Sequence, residues 1–253
     1  MSEVLICRNL GIDFGGLTAV NNLNMEINEK EIVGLIGPNG AGKTTVFNLL
    51  TKVYEPSRGR IEFFGQDVTK NTTIQMSKAG IARTFQNIRL FNKLSVIDNI
   101  VIGMHNKISY TMIDALFKTK KYRNEEKEAY KKAEELLKIF NLNEQKYALA
   151  SSLPYGEQRK LEILRSLATE PKLLLLDEPA AGMNPQETEE LMNTIRFIRD
   201  RFDISILLIE HDMSLVMNIC ERIYVLNYGM LLAKGTPEEI RNDDRVIKAY
   251  LGD

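Results

Sequence analysis

The run Gly37-Pro38-Asn39-Gly40-Ala41-Gly42-Lys43-Thr44, with Thr45 next to it, sets three glycines among a lysine and two hydroxyls. Closely spaced glycines let a backbone turn tightly, so that successive N–H groups point inward at anionic oxygens. A helical pattern starts at Lys43, and a helix there adds its unpaired N-terminal N–H groups and positive dipole end. These residue types in this order predict a cradle for a nucleoside triphosphate. Lys43 is expected to reach the β- and γ-phosphates, and the Thr44 hydroxyl to ligate Mg²⁺. A chance glycine-rich turn would need neither the apolar strand before it nor the helix after it.

A second constellation, Leu173-Leu174-Leu175-Leu176-Asp177-Glu178-Pro179, places two carboxylates at the end of an apolar run. In an open α/β sheet, ligands bind at the carboxyl ends of strands. Adjacent residues of extended chain point different ways, so the pair can hold two roles. Asp177 suits the surroundings of Mg²⁺ alongside Thr44, and Glu178 suits the attacking water. Any one strand can end in solvated acids; an acidic strand end together with the cradle calls for a common site.

These groups need a scaffold. Short apolar, β-branched runs at Val4–Cys7, Ile32–Ile36, Ile61–Phe64, Leu173–Leu176, Ile204–Ile209 and Ile223–Leu226 predict strands. IVGLI, LLLL and ISILLI are continuous rather than alternating, as in strands of a parallel sheet covered on both faces. Helical patterns follow at Lys43–Lys52, Pro185–Arg201 and Met213–Arg222, so the expected core is a doubly wound α/β sheet. Alternating stretches around Val4–Phe14 and Asn24–Ile27 suggest an antiparallel β layer on one edge. The middle reads as helix, with Ala129, Ala133, Leu136, Leu137 and Phe140 on one face. The expected organisation is one α/β domain, its nucleotide-binding core formed by 1–95 and 170–253, with a helical subdomain inserted at 96–169. The charged run Lys118–Lys138 reads most simply as a solvated face.

Composition narrows the classes. The 253 residues are 44% hydrophobic and 26% charged with net charge −1, so no broad basic field attracts nucleic acid. Cys7 and Cys220 form no CxxC or Cys/His cluster and read as small buried hydrophobes. No apolar run reaches the ~20 residues that cross a bilayer, and the first residues lack a signal-peptide plan.

Taken in order, the cradle, Gln86, the Leu153-Pro154-Tyr155-Gly156-Glu157-Gln158 segment, the acidic strand end and His211 resemble the nucleotide-binding subunits of ABC transporters. The resemblance covers essentially the whole chain. It implies a P-loop NTPase fold and hydrolysis of ATP with Mg²⁺. By the same resemblance Gln86 touches Mg²⁺ and the water, His211 holds the γ-phosphate, and Phe14 stacks on adenine with Val20 as an apolar neighbour. The segment around Gly156 matches the signature that contacts ATP held by a second subunit, here or across a heterodimer. It departs from the family's LSGGQ, with Pro154 in place of the serine and Tyr155 and Glu157 in place of a glycine and a glutamine. Only the backbone contact near Gly156 therefore carries over. Ala180-Ala181-Gly182-Met183-Asn184-Pro185 matches the segment that crosses between subunits, without its usual serine and aspartate.

Phe14-Gly15-Gly16-Leu17, Arg83-Thr84-Phe85-Gln86-Asn87, Leu153–Glu162, Asp177–Pro185 and the tail Val246–Gly252 are similar to the LivG-type ATP-binding subunits of branched-chain amino acid importers. That likeness implies transmembrane permease subunits as partners, a substrate-binding protein indirectly, and a peripheral place at the cytoplasmic face of the membrane. The stretch Gln86–Ile100, with Ile88, Leu90 and Phe91, is the expected permease contact. Relatives of this group serve urea, amides or other amino acids, so cargo rests on likeness alone. Two rivals are a non-transport ABC ATPase and a small-molecule P-loop kinase. The first usually carries two cassettes or a long coiled coil; the second would leave Glu178, the signature segment and His211 unexplained.

Overall fold

A computed structural model describes residues 2–107 and 109–251. Its strands are β1 (Glu3–Phe14), β2 (Leu17–Asn28), β3 (Ile32–Ile36), β4 (Arg58–Phe63), β5 (Gln66–Asp67), β6 (Ile81–Arg83), β7 (Leu173–Asp177), β8 (Ser205–Ile209), β9 (Arg222–Asn227) and β10 (Met230–Gly235). The helices are α1 (Lys43–Leu50), α2 (Thr73–Ala79), α3 (Val96–Gly103), α4 (Met112–Leu116), α5 (Lys120–Ile139), α6 (Tyr155–Leu167), α7 (Pro185–Phe202), α8 (Met213–Ile219), α9 (Pro237–Arg241) and α10 (Asp244–Leu251). The chain divides into two compact units, Met1–Gln86 with Lys172–Asp253, and Asn87–Pro171.

The first unit holds both sheets. A six-stranded sheet runs β10-β9-β3-β8-β7-β6, with β9, β3, β8, β7 and β6 parallel and β10 antiparallel at its edge. The three continuous apolar runs form β3, β7 and β8, each buried along all five residues. Burial on both faces is the reason they lack alternation. A four-stranded antiparallel sheet, β2-β1-β4-β5, provides the second layer. Leu5, Leu10, Leu23 and Ile27 from that layer join Leu35, Phe47, Leu175 and Ile209 in one apolar core. Both cysteines are free and buried; burial pushes the Cys7 thiol up to about 12 and Cys220 upward as well, so neither is a reactive thiolate.

Three sequence expectations shift. The helix expected over Met213–Arg222 ends at Ile219, because Cys220 turns to extended backbone and Arg222 already opens β9. Strands β6 and β10 were not expected: β6 is three residues long, and β10 is an edge strand with little buried surface. Strand β2 extends well ahead of Asn24, pairing Leu17 with Phe14 across a Gly15-Gly16 turn in which both residues have positive φ. That is the two-residue turn whose twist suits a hairpin.

In the second unit, α3, α5 and α6 carry the helical content. Ala129, Ala133, Leu137 and Phe140 are buried along α5, and Leu161, Leu164, Leu167 and Ala168 along α6. Among the described residues, no helix is long and apolar enough to cross a membrane.

Candidate functional site

Strand order places the site. Strands β3, β8, β7 and β6 are consecutive neighbours and all parallel, so their carboxyl ends lie side by side. The cradle follows β3, His211 follows β8, Glu178 follows β7 and Gln86 follows β6. This is the edge at which open α/β sheets bind ligands.

In the cradle, Gly37 has φ 149° and Gly42 φ 99°. A side chain at Gly37 would put its Cβ 2.1 Å from the Leu226 carbonyl oxygen, and one at Gly42 would stand 2.7 Å from that of Ala19. Close backbone approach therefore demands glycine at both. The turn from β9 to β10 braces the loop: the Gly229 amide donates to the Ala41 carbonyl at 3.1 Å, and Asn21 donates to Gly229 at 2.7 Å. Tyr228 and Gly229 both have positive φ there, giving a hairpin turn that seats the cradle against β2.

The loop opens into a cavity of about 400 Å³, lined by 39–45, Leu17–Ala19, Glu178, His211, Tyr228 and Gly229. The Lys43 ammonium donates to the Gly37 carbonyl at 2.7 Å and the Pro38 carbonyl at 3.0 Å. Burial lowers its pKa, while the nearby Glu178 and Asp177 carboxylates oppose that shift. A partly desolvated cation over a glycine loop suits polyphosphate oxygens, which would replace the loop carbonyls as its partners.

Glu178 has φ 46°, left-handed backbone that a non-glycine residue rarely adopts. Its amide donates to the Ile209 carbonyl at 2.9 Å, which fixes the turn. Its carboxylate is clasped from both sides: Gln86 Nε2 donates to Oε2 at 2.7 Å, and His211 Nε2 meets Oε1 at 2.8 Å. The three side chains thus meet, and Glu178 and His211 line the cavity. Strained backbone held by its surroundings is a recurrent feature of reactive sites.

Asp177 is buried and paired with Arg83 at 2.7 Å. Arg83 also donates to Asn48 Oδ1 at 2.6 Å and lies between the rings of Phe47 and Phe85. Nothing in the sequence distinguished Arg83 as a partner, because its acid is 94 residues away. Arg83→Ala would leave a buried carboxylate uncompensated; it is expected to cost about 3–5 kcal/mol of stability, read by urea unfolding. An unchanged midpoint would deny the pair that role.

Glu210 also escaped notice. It is buried between the turns that carry Glu178 and His211: it accepts from the Ala180 amide at 2.7 Å and the His211 amide at 3.0 Å. Burial raises its pKa, and the amides of Ala180, Asp212 and His211 counter that. A carboxylate tying the turns that carry Glu178 and His211 positions both. Glu210→Ala is expected to lower ATP turnover at least tenfold, the scale of ångström misplacement, with nucleotide affinity little changed. Equal losses in turnover and affinity would contradict it. The signal available was the acid directly before His211, at the end of ILLI.

The remaining expected residues are placed differently. Val20 is fully buried in the core, and the cavity wall beside the cradle is built from Leu17, Thr18 and Ala19 instead. This corrects the expectation that Val20 faces the nucleotide: a register shift in the β1–β2 pairing, where Ile12 meets Val20 but Asp13 meets Thr18, interrupts the alternation, and Val20 turns into the core. Phe14 is half-exposed at the end of β1 and packs edge-to-face on Tyr54 at 5.2 Å, outside the cavity lining. Gly156 stands in the first turn of α6, in the other unit. Pro154 caps that helix without a side-chain hydrogen bond. Within the same unit Arg159 and Glu162 form a fully buried pair at 2.8 Å, and Glu162 accepts from the Arg89 amide at 3.1 Å. Ile88 and Leu90 are half-buried, and Phe91 lies exposed against Arg165. Of the tail, Gly252 lies outside the described residues.

The donor set fits Mg²⁺: the exposed Thr44 hydroxyl, the Asp177 carboxylate and the Gln86 amide are all oxygen ligands of the kind the ion prefers.

Known proteins share this architecture. A family model described as ABC transporter matches residues 20–181, and one described as branched-chain amino acid ATP-binding cassette transporter matches 230–253. The high-affinity branched-chain amino acid transport ATP-binding protein LivG of Salmonella typhimurium is 49% identical over 254 residues, covering 100% of each chain. The corresponding protein BraF of Pseudomonas aeruginosa is 46% identical over 99% of this chain and 98% of its own. The ADP conformation of MJ1267, an ATP-binding cassette of an ABC transporter, superposes with TM-score 0.87 at 29% identity over 100% of both chains. With the cradle, Glu178, His211 and Gln86 gathered at one sheet edge and these full-length likenesses, the chain belongs to the ATP-binding subunits of ABC transporters, in the branched-chain amino acid group of LivG and BraF.

Proposed function

We propose that this chain binds MgATP in the 37–45 cradle and hydrolyses it to drive import of branched-chain amino acids through membrane permease subunits. The observation that carries the reading is the Glu178 carboxylate held between Gln86 and His211 at the mouth of the cradle. In that position Glu178 orients a water and takes its proton as the water oxygen bonds to the γ-phosphorus. The bond from phosphorus to the β,γ-bridging oxygen then breaks, and ADP leaves with that oxygen. Lys43 and the loop amides stabilise the charge on the phosphate oxygens. Thr44, Asp177 and Gln86 would hold Mg²⁺, which would supply further charge neutralisation there. His211 moves from Glu178 to the γ-phosphate as nucleotide enters, and Gln86 reports the state of the site to the permease.

The α6 N-terminus, around Gly156, meets the γ-phosphate bound to a second ATPase subunit, so two nucleotides hold two subunits together. Phe14 stacks on adenine at the open side. The working place is the cytoplasmic face of the membrane, beside the permeases and, through them, a substrate-binding protein. Support for the cargo comes from LivG and BraF, whose names give branched-chain amino acid transport. The test is phosphate release from MgATP by the purified chain and by the chain co-expressed with its permeases. Co-purification with a multi-span protein and stimulation by leucine-loaded binding protein support it. Full activity without any membrane partner retained on purification would favour a non-transport ATPase.

A further inference from the structure

The second unit carries an apolar hook that the ATPase reading does not use. Helix α4 and its cap present Met112 at 90% exposure, Leu116 at 77%, Phe117 at 73% and Ile113 at 67%. Single exposed apolar residues are ordinary; four together on one short turn are not. The hook is also rigidly built. Thr111 and Asp114 form a reciprocal capping box, and the Thr119 hydroxyl donates to the same carboxylate at 3.0 Å. Before the hook, Ser109 donates twice to Glu125, and the Tyr110 hydroxyl donates to Glu126 at 2.8 Å. The Tyr110 ring packs edge-to-face on Tyr122 at 4.9 Å. These contacts fasten the hook to α5 while its apolar side chains face outward.

The segment that leaves the hook is basic. Lys118, Lys120, Lys121 and Arg123 are exposed, and no acid lies among residues 118–123. Asp114 within the hook and Glu125 and Glu126 at its base remain carboxylates, turned onto Ser109, Tyr110, Thr111 and Thr119 by hydrogen bonds, whereas the Lys118 and Lys120 side chains carry no such tie among the described residues. We propose that the Met112–Phe117 hook inserts into the headgroup region of an anionic phospholipid surface, with Lys118 and Lys120 against the lipid phosphates. An apolar tip followed directly by exposed lysines matches that interface, where a neutral surface would use only the apolar side chains. It gives a subunit with no membrane-spanning helix among its described residues its own hold on the bilayer, independent of the permease. The run that reads as a solvated face in sequence thus has a use at its start.

The test is co-sedimentation of the full chain with phosphatidylcholine vesicles, with and without phosphatidylglycerol. Binding is expected only with phosphatidylglycerol and is expected to weaken in high salt. Leu116→Ser with Phe117→Ser should lower vesicle partitioning at least about tenfold. Lys118→Gln with Lys120→Gln should lower it by about thirtyfold. ATP hydrolysis should be unchanged in both pairs, which separates this inference from the ATPase reading. Absence of binding to anionic vesicles overturns the proposal, as does equal binding to neutral ones or binding that survives the serine pair. A serine pair that loses permease association or self-association, with no vesicle binding in the parent chain, assigns the hook to a protein partner instead.

Discussion

Glu178→Gln is expected to retain ATP binding while hydrolysis falls by about 10²-fold or more, the range for losing a positioned general base. The amide is nearly isosteric, so Gln86 and His211 keep a neighbour of the same shape. What goes is the ability to accept the water's proton. Because γ-phosphate is no longer removed, the ATP-held pair of subunits should accumulate, visible as a dimer on size-exclusion chromatography with ATP. Binding without turnover separates this role from a structural one. Near-normal phosphate release by the variant would remove Glu178 from the chemistry, and with it the reason for its left-handed backbone.

Lys43→Ala should act one step earlier, on nucleotide affinity itself. The ammonium stands over the loop, buried enough for desolvation to lower its pKa and held now by two loop carbonyls. Two charge-assisted bonds to phosphate, at roughly 1.5–3 kcal/mol each, correspond to an affinity loss of about 10²-fold or more. Fluorescent-nucleotide titration measures it, with far-UV circular dichroism as the check on folding. Unchanged affinity in a folded variant would move the nucleotide away from this loop. The contrast between the two variants is itself diagnostic: one binds without hydrolysing, the other barely binds.

Much of the fold was legible because burial leaves a mark on local sequence. IVGLI appears in the structure as β3 with the bounds read from the sequence, and LLLL and ISILLI as β7 and β8 to within one residue. A strand covered on both faces has no polar side and cannot alternate. β10 and β6 carried no such mark, being an edge strand and a three-residue strand, and the end of α8 depended on where β9 had to begin. Val20 shows the limit for the site: a register shift between Thr18 and Val20 leaves Val20 in the core, while Leu17, Thr18 and Ala19 line the cavity.

Spacing and residue type alone determined the glycine-rich turn and the acidic strand end and pointed to a nucleotide as ligand, since these follow from backbone geometry within a few residues. The full-length likeness to ABC transporter subunits was legible in the same way. Only the tertiary structure decided who clasps Glu178, that Arg83 underlies Asp177, that Glu210 ties two turns, and that an apolar hook stands out from α5. Gln86 and Glu178 are 92 residues apart, and Arg83 and Asp177 94. No local pattern encodes such a pairing. It exists because parallel strands β6, β7 and β8 lie side by side and bring their carboxyl ends to one edge.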